Sequence, residues 1–309
     1  MKYTHTQALL LLSSCFCATS LASIISDARY VFAFSCSSSY TTEGWTGIGN
    51  PLIPYNKTCS TAGPNWIQQL VGIAGNSELI DLAVNGATAD QDIVFTAPPD
   101  FRNQTAAFLS WIAPPPDQVP WTGDNSLFLV TFGTNDIVRS FFNSTGNGTD
   151  LHVKIFESYF NTVDKLYLAG ARRFVFNNVI PFDRAGRGID QGPVLQEKMK
   201  FNILDINFRL SVKANAYCAS KKDIICTVFD AHSLFTHMMD NFKTLGFMSP
   251  DAFCNDYAEV HSCEAPGVAP ACLGPISSYI WKNGLHPSWA ADTLWAKALY
   301  GQLSGIQSS

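Results

Sequence analysis

The sequence of 309 residues has little charge and no cluster of basic residues. Only 15% of its residues are charged and 47% are hydrophobic, a balance that excludes a disordered chain. The formal net charge is -5, which argues against a nucleic-acid partner because such a protein needs a basic face. Cys-x-x-Cys pairs and His/Cys clusters are absent, so no zinc site is predicted. Nor does any apolar run reach the roughly 18 residues that span a bilayer.

The N-terminal segment Met1–Ala22 has the layout of a cleaved secretory signal. Lys2 lies in a short polar start, an apolar stretch begins at Ala8, and small residues occupy Ser20 and Ala22. The alternative, a membrane anchor, is disfavoured because the apolar stretch is short. We therefore expect a secreted, extracellular protein with no membrane contact after cleavage. Cleavage removes one of 20 basic and none of 25 acidic residues, which changes the net charge from -5 to -6.

Cleavage also leaves an odd number of cysteines. In an oxidising compartment most of them should pair, with one left over, and the group near the C-terminus should supply two disulfides of undetermined connectivity. Four Asn-x-Ser/Thr sequons in polar surroundings are typical of a glycoprotein. The seven cysteines are Cys36, Cys59, Cys218, Cys226, Cys254, Cys263 and Cys272, and the predicted glycosylation sites are Asn56, Asn103, Asn143 and Asn147.

Strand-length apolar runs alternate with helical patterns over residues 23–309, which predicts a single α/β domain with a parallel sheet. Two helical stripes should belong to the core, and the loops at strand ends should shape a cleft. The predicted strands are Tyr30–Phe34, Ile80–Val84, Leu127–Phe132, Arg173–Ile180 and Ile224–Phe229. The stripes are Leu151, Ile155, Tyr159, Val163 and Leu166, then Leu195, Met199, Ile203, Ile206 and Leu210. Long loops are predicted at Trp45–Gly63 and Thr96–Pro120.

Three stretches that follow predicted strands could contribute to catalysis. Phe34–Trp45 contains several serines, one of which a strand-to-helix turn could present to the cleft. Asn85–Asp90 contains a glycine whose backbone amide could donate to an oxyanion, and Phe132–Asp136 contains an asparagine whose side chain could do the same. Each stretch alone is equally typical of an ordinary turn or helix cap.

A fourth stretch, Tyr279–Pro287, contains His286, and histidine is the usual base for a serine nucleophile. A group three residues earlier, at Asn283, could hold its second ring nitrogen. His232 and His237 do not share a helical face, and His152 and His261 lie in polar surroundings, so these four are weaker candidates.

Taken in order, these stretches resemble the SGNH (GDSL-type) hydrolases, most closely the fungal carbohydrate esterases of family 16. The resemblance covers nearly all of residues 23–309. Its motifs are Ser39–Gly44, Gly63–Trp66, Asn85–Thr88, Gly133–Asp136, Gly170–Phe174 and Leu285–Pro287, with further matches at Val179–Arg184, Phe201–Asn202 and Phe229–Asp230.

The resemblance implies a flavodoxin-like three-layer α/β/α sandwich and hydrolysis of acetyl esters on plant cell-wall sugars and oligosaccharides. Ser39 would be the nucleophile, and His286 the general base and then the acid. The oxyanion hole would comprise the Ser39 amide, Gly86 and the Asn135 side chain. The implied partner is a small acetylated saccharide, without metal or organic cofactor, and the protein is expected to be a monomer.

Two departures from the family pattern fall on the catalytic blocks. Ser37-Ser38 stands where the family has Gly-Asp before its serine, and alignment from the strand side would make Ser37 the nucleophile instead of Ser39. A misread gene model around Ser35–Ser38 is a third interpretation. Asn283 stands where the family has the aspartate that orients the histidine. An amide cannot stabilise imidazolium by charge, and its NH₂ could turn towards the ring and select the wrong tautomer.

Asp256, Glu259 or Glu264 could replace the missing acid from the preceding loop. The retained serine, histidine, glycine and asparagine favour a working, slower esterase. The changes in both catalytic blocks motivate an alternative, a relative that binds saccharide without turnover.

Overall fold

The computed structural model describes residues 24–36, 41–42, 50–52, 58–142 and 148–305. The predicted signal segment and Ser37 to Ser39 lie outside these residues. Across the residues that the structure describes, no helix combines the length and the hydropathy that crossing a bilayer requires.

A five-stranded parallel sheet in the order β4-β1-β5-β6-β7 forms the centre of the protein. All side chains of β1 and β5 are buried, so these strands have near-continuous apolar sequences rather than an alternating pattern. A small antiparallel pair, β2 with β3, lies outside this sheet. The strands are β1 Tyr30–Ser35, β2 Thr41–Thr42, β3 Thr58–Cys59, β4 Glu78–Asp81, β5 Ser126–Thr131, β6 Arg173–Asn177 and β7 Ile225–Phe229.

Helices pack on both faces of the sheet. Helix α1 packs against α9, where Trp66 and Trp295 stack with ring centroids 4.7 Å apart, and α7 also packs against α9. Helix α4 packs against α2 and α6. The predicted three-layer α/β/α sandwich is thereby confirmed. The helices are α1 Trp66–Ala74, α2 Phe101–Trp111, α3 Thr134–Ser140, α4 Thr149–Leu168, α5 Gly186–Ile189, α6 Pro193–Ser220, α7 Ala231–Asp240, α8 Asn255–Ala258 and α9 Trp289–Ser304, with 3-10 turns at Phe182–Arg184 and Ile276–Ser278.

The two predicted helical stripes lie in α4 and α6 and belong to the core. Eight of their ten side chains are buried, and Leu151 and Leu195 are partly buried against the same core.

Two strands, β4 and β6, end earlier than predicted. β6 stops at Asn177 because the Asn207 amide, on α6, accepts from Val179 N and donates to Val179 O, both at 2.8 Å. β4 ends at Asp81, but Leu82 N and Val84 N still donate to Ala33 O and Ser35 O of β1 at 2.9 and 3.1 Å, so the chain runs beside β1 as far as the predicted end at Val84.

The prediction of an uninterrupted loop over Thr96–Pro120 is wrong, because this stretch contains α2. Asp100 caps the helix: its side chain accepts from Asn103 N, and the Asn103 side chain accepts from Asp100 N. Phe101 and Phe108 then fall on one helical face and pack against Phe34 at 5.8 and 5.7 Å between ring centroids. The prolines on either side indicate only where the helix cannot continue.

Disulfides join Cys59 to Cys263, Cys218 to Cys226 and Cys254 to Cys272. The expectation of two bridges within the C-terminal cysteine group is confirmed. The remaining cysteine of the expected mature chain, Cys36, is buried in the core at the end of β1.

Candidate active site

The serine block begins at the buried end of β1, which a glutamine from α2 holds in place. Gln104 accepts from Ser35 N at 3.0 Å and donates to Ser35 O at 2.8 Å. Val84 N donates to the same Ser35 oxygen at 3.1 Å, so the segment after β4 continues beside β1 to this point. The chain that leads to Ser37 and Ser39 therefore starts next to the Asn85–Asp90 block.

Beyond the serine block, the chain is tied to the segment that precedes the histidine. Thr41 of β2 is in register with Cys59 of β3, and Cys59 is bonded to Cys263. Cys59 N also donates to His261 O at 3.3 Å. Because Thr41 lies two residues after Ser39, these contacts keep one flank of the serine block close to the C-terminal segment.

Gly86 has an available backbone donor at the carboxyl edge of the sheet. Its φ of 80° is one that glycine adopts without strain. Its carbonyl accepts from Thr96 Oγ1 at 2.8 Å, which orients the turn. The Gly86 N–H donates to no atom of the described residues.

Hydrogen bonds link the predicted oxyanion residues Gly86 and Asn135 through the segments that contain them. Asn135 Nδ2 donates to Ala87 O at 2.9 Å, and Ala89 N donates to Asp136 Oδ1 at 3.1 Å. Asn135 is only 6% exposed, so its rotamer is held by packing. A primary amide nitrogen has two hydrogens, and one remains for a further acceptor.

His286 lies on a short hairpin with Trp281 bridged to Pro287. Lys282 N donates to His286 O at 2.9 Å, which closes the turn that contains Asn283. The imidazole is partly buried, and its Nε2 is buried with no hydrogen-bond partner among the described residues. This is the nitrogen that a base needs to keep free for a hydroxyl.

Asn283 determines which nitrogen of His286 carries the proton. Its Oδ1 accepts from Leu285 N at 2.9 Å and from His286 N at 2.8 Å, and it lies 3.1 Å from His286 Nδ1. Both backbone groups can only donate, so they require oxygen rather than NH₂ at this position. Nδ1 therefore carries the proton, and Nε2 carries the lone pair. The wrong tautomer that an asparagine could have selected is disfavoured by these two backbone donors.

The electrostatic environment makes His286 a weak base. Burial, together with the positive charges of Lys282 and His261, lowers the pKa of His286 from 6.5 to about 4. No carboxylate replaces the missing family aspartate: within the described part of the chain, none of Asp256, Glu259 and Glu264 bonds to the imidazole. Glu259 acts on Lys282 instead, whose pKa burial lowers to about 8 against the opposing effect of that carboxylate.

Three residues near the site were not singled out by sequence reasoning. Gln104 lies in the stretch Thr96–Pro120, which the sequence predicts to be a loop. The Asp100-x-x-Asn103 capping pattern and the spacing of Phe101 and Phe108 could have indicated the helix. Arg139 lies beside the Gly86 turn: a Cβ built on Gly86 would be 3.1 Å from its Nη2. Lys282 is buried, which its position next to Asn283 in the sequence does not indicate.

Of the four predicted glycosylation sites, only Asn103 lies within the described residues. It is exposed on the first turn of α2, and its Oδ1 serves the capping box. Searched over the same residues, the structure brings together no group of three His, Cys, Asp or Glu side chains that could hold a metal ion.

The family model described as GDSL-like lipase/acylhydrolase matches residues 42–299, and the chain belongs to this family. The matched stretch starts after Ser39 and includes Gly86, Asn135 and His286. The protein is accordingly a carboxylic ester hydrolase.

Individual relatives are similar over almost their whole length. An acetylesterase of Thermothelomyces thermophilus is 30% identical over 314 residues, covering 96% of each chain. An acetylesterase of Hypocrea jecorina is 26% identical over 338 residues, covering 90% of each chain. An acetylxylan esterase structure from Geobacillus stearothermophilus aligns at 13% identity with a TM-score of 0.47, covering 92% of this chain and 95% of that one. At that TM-score the likeness carries no weight.

Proposed function

We propose that the protein is a secreted serine acetylesterase that removes acetyl groups from plant cell-wall sugars and oligosaccharides. Membership of the GDSL family supports the reaction class, and the two acetylesterase relatives support the acetyl group. The signal layout of Met1–Ala22 and the three disulfides support secretion. The saccharide part of the substrate follows from the resemblance to the fungal esterases of family 16.

In this proposal Ser39 Oγ attacks the acetyl carbonyl while His286 Nε2 accepts its proton. The oxyanion receives hydrogen bonds from the Ser39 amide, Gly86 N–H and the second hydrogen of Asn135 Nδ2. His286 then donates the proton to the departing sugar hydroxyl, which leaves an acetyl-serine. A water molecule, deprotonated by the same nitrogen, attacks this ester and releases acetate. Asn283 Oδ1 accepts from Nδ1 throughout.

The observation that carries the proposal is the arrangement around His286. Two backbone donors fix the Asn283 oxygen, the oxygen orients Nδ1–H, and Nε2 stays buried with no partner among the described residues. A purely structural histidine that is buried would be expected to satisfy both nitrogens. The alternative, a saccharide-binding relative without turnover, is disfavoured because this arrangement keeps the base in its working tautomer.

Acetate release from acetylated xylo-oligosaccharides by residues 23–309 tests the proposal. We expect steady turnover that His286→Ala and Ser39→Ala abolish and Ser37→Ala retains. An organophosphonate probe should leave its adduct on the peptide that contains Ser39, read by mass spectrometry. Loss of turnover in Ser37→Ala, with Ser39→Ala active, would move the nucleophile to Ser37. An active His286→Ala variant would overturn the mechanism.

Secretion has its own test. Expression of the full-length chain in a eukaryotic host should release protein into the medium with Ser23 at its N-terminus. Glycosidase treatment should then reduce its mass, and Asn103 should be among the modified sites. Retention in the cell with an intact N-terminus would contradict the predicted signal.

A further inference from the structure

Lys282 is a buried cation next to the proposed base. The residue is almost fully buried, with only 1% of its surface exposed. Within the described residues its Nζ forms no hydrogen bond or contact ion pair, and it is not among the fully enclosed atoms without a partner, so the ammonium keeps a narrow contact with solvent. Lysine is rarely buried without a partner, because transfer from water costs the charged ammonium much more free energy than it costs the neutral amine. Its position therefore calls for a role.

The hairpin geometry directs Lys282 to the same side as His286. Trp281 bridges antiparallel to Pro287, and Lys282 N donates to His286 O at 2.9 Å, so Lys282 and His286 are directly opposite each other. Side chains of directly opposite residues share one face, with Cβ atoms about 4.5–5.5 Å apart. Trp281 occupies the other face, where its Nε1 donates to Pro250 O at 2.9 Å.

We propose that the Lys282 ammonium is a positioning charge that acts through His286, adding to the effect of burial against protonation of the imidazole and so extending the activity of the esterase to lower pH. This inference rests on the proposed role of His286 as the base. An ordinary histidine is mostly protonated, and useless as a base, well below its usual pKa of about 6.5. A permanent positive charge opposite the ring opposes that protonation.

The other charges around the hairpin do not cancel this effect. His261 is exposed and, when protonated, adds to the positive potential at His286. Glu259 raises the pKa of Lys282 and so keeps it charged to higher pH. Arg187 on α5 meets the hairpin through its backbone, donating from N to Gly284 O at 2.7 Å, while its side chain is exposed. Burial still lowers the pKa of Lys282 to about 8, so the ammonium persists throughout the acidic range.

The test compares Lys282→Met, which keeps the length and removes the charge, with Lys282→Arg, which keeps the charge. Lys154→Met is the matched control, because Lys154 is exposed on α4. The kcat/KM for 4-nitrophenyl acetate is measured from about pH 3 to about pH 8, and the His286 ring is titrated by NMR over the same range. Thermal melting verifies that each variant is folded, and Lys282→Gln replaces the Met variant if that one is not.

We expect Lys282→Met to move the acidic limb and the NMR titration of His286 to higher pH by about one unit, because the positive charge opposite the ring is removed. Lys282→Arg and Lys154→Met should leave both within a few tenths of a unit. An unchanged midpoint in Lys282→Met, or an equal shift in Lys282→Arg, would overturn the inference. Retained activity in His286→Ala would instead refute the proposed base, while the NMR titration would still decide whether Lys282 acts on the ring.

Discussion

Replacing Asn283 by aspartate separates the two services that an acidic residue provides to a catalytic histidine, orientation and charge. The substitution is isosteric, and a carboxylate oxygen can accept the same hydrogen bonds from Leu285 N, His286 N and His286 Nδ1. Orientation is therefore already present in the natural chain, and the variant adds only a negative charge near the imidazolium that forms during the reaction.

The size of the gain follows from that distinction. Opposite unit charges about 4 Å apart attract by about 4 kcal/mol at an effective dielectric constant near 20. With the proton about half transferred in the transition state, roughly 2 kcal/mol reaches the barrier, which is about 30-fold in rate. The reverse change in a serine protease costs about 10⁴ because its asparagine selects the wrong tautomer. The backbone donors disfavour that tautomer here, so we expect a much smaller gain.

The gain should also depend on pH with a definite sign. A carboxylate at position 283 raises the pKa of His286 from its present value of about 4, so the variant's base is protonated first as the pH falls. Asn283→Asp should exceed the natural chain about 30-fold in kcat/KM near pH 7, with the advantage shrinking towards pH 5. Asn241→Asp, on an exposed residue at the end of α7, is the matched control. A gain near 10⁴ would mean that the natural ring rests in the wrong tautomer, and no gain would mean that charge contributes nothing to the transition state.

Three further predictions concern the oxyanion turn, the β1 anchor and a buried acid. Gly86→Ala should lower kcat about 10²-fold with little change in KM, because alanine is strained at a φ of 80° and the backbone donor at this position is displaced. Steady-state kinetics on 4-nitrophenyl acetate measure both constants. An unchanged kcat would show that Gly86 is not part of the oxyanion hole. Gln104→Ala should lower the unfolding free energy measured in urea by about 2–3 kcal/mol and reduce kcat, because both backbone groups of Ser35 lose the Gln104 side chain as a partner. Ser110→Ala, on the exposed face of α2, is the control. Equal stabilities of the two variants would contradict the anchoring of β1 by Gln104. Burial raises the pKa of Asp136 from 3.8 to about 6, so ionisation of this carboxyl destabilises the folded state as the pH rises from about 4 to about 6. Asp136→Asn should therefore have an unfolding free energy up to about 3 kcal/mol higher than the natural chain at pH 7, and no higher below pH 4. The same difference at both pH values would refute the raised pKa of Asp136.

Sequence reasoning predicted those parts of the fold that apolar periodicity encodes. β1, β5, α4 and α6 bury long apolar runs or stripes, so tertiary contacts agree with the local pattern. The missed helix α2 has a mixed sequence with low mean hydropathy between prolines, and its capping box is a side-chain signal that periodicity does not register. The end of β6 depends on Asn207, which comes from a helix that is distant in the sequence.

At the site, the sequence indicated which residues to examine but not how they are oriented. The pattern Asn283-x-x-His286 shows a neutral group in the place of an acid, and either orientation of its amide is compatible with the sequence. Only the turn geometry, which aims two backbone N–H groups at the same oxygen, decides between them. The burial of Lys282 has the same status, since it depends on packing around the hairpin rather than on any local pattern.

With Lys282 nearby and Asn283 in place of an acid, His286 is less basic than it would be beside an aspartate, which changes what the missing aspartate means. An aspartate raises the basicity of the ring, whereas a neutral amide leaves it unchanged and a buried ammonium lowers it. A base with a pKa of about 4 abstracts a proton less readily, but it remains unprotonated in a medium where an ordinary histidine is largely charged. If only the acid had been lost, burial alone would lower the pKa of His286, and activity would begin at a higher pH than it does with Lys282 present. With Lys282 beside His286, turnover near neutrality is lower, but the base remains unprotonated in a more acidic medium. The pH at which activity begins, rather than the maximum rate, therefore distinguishes the two cases.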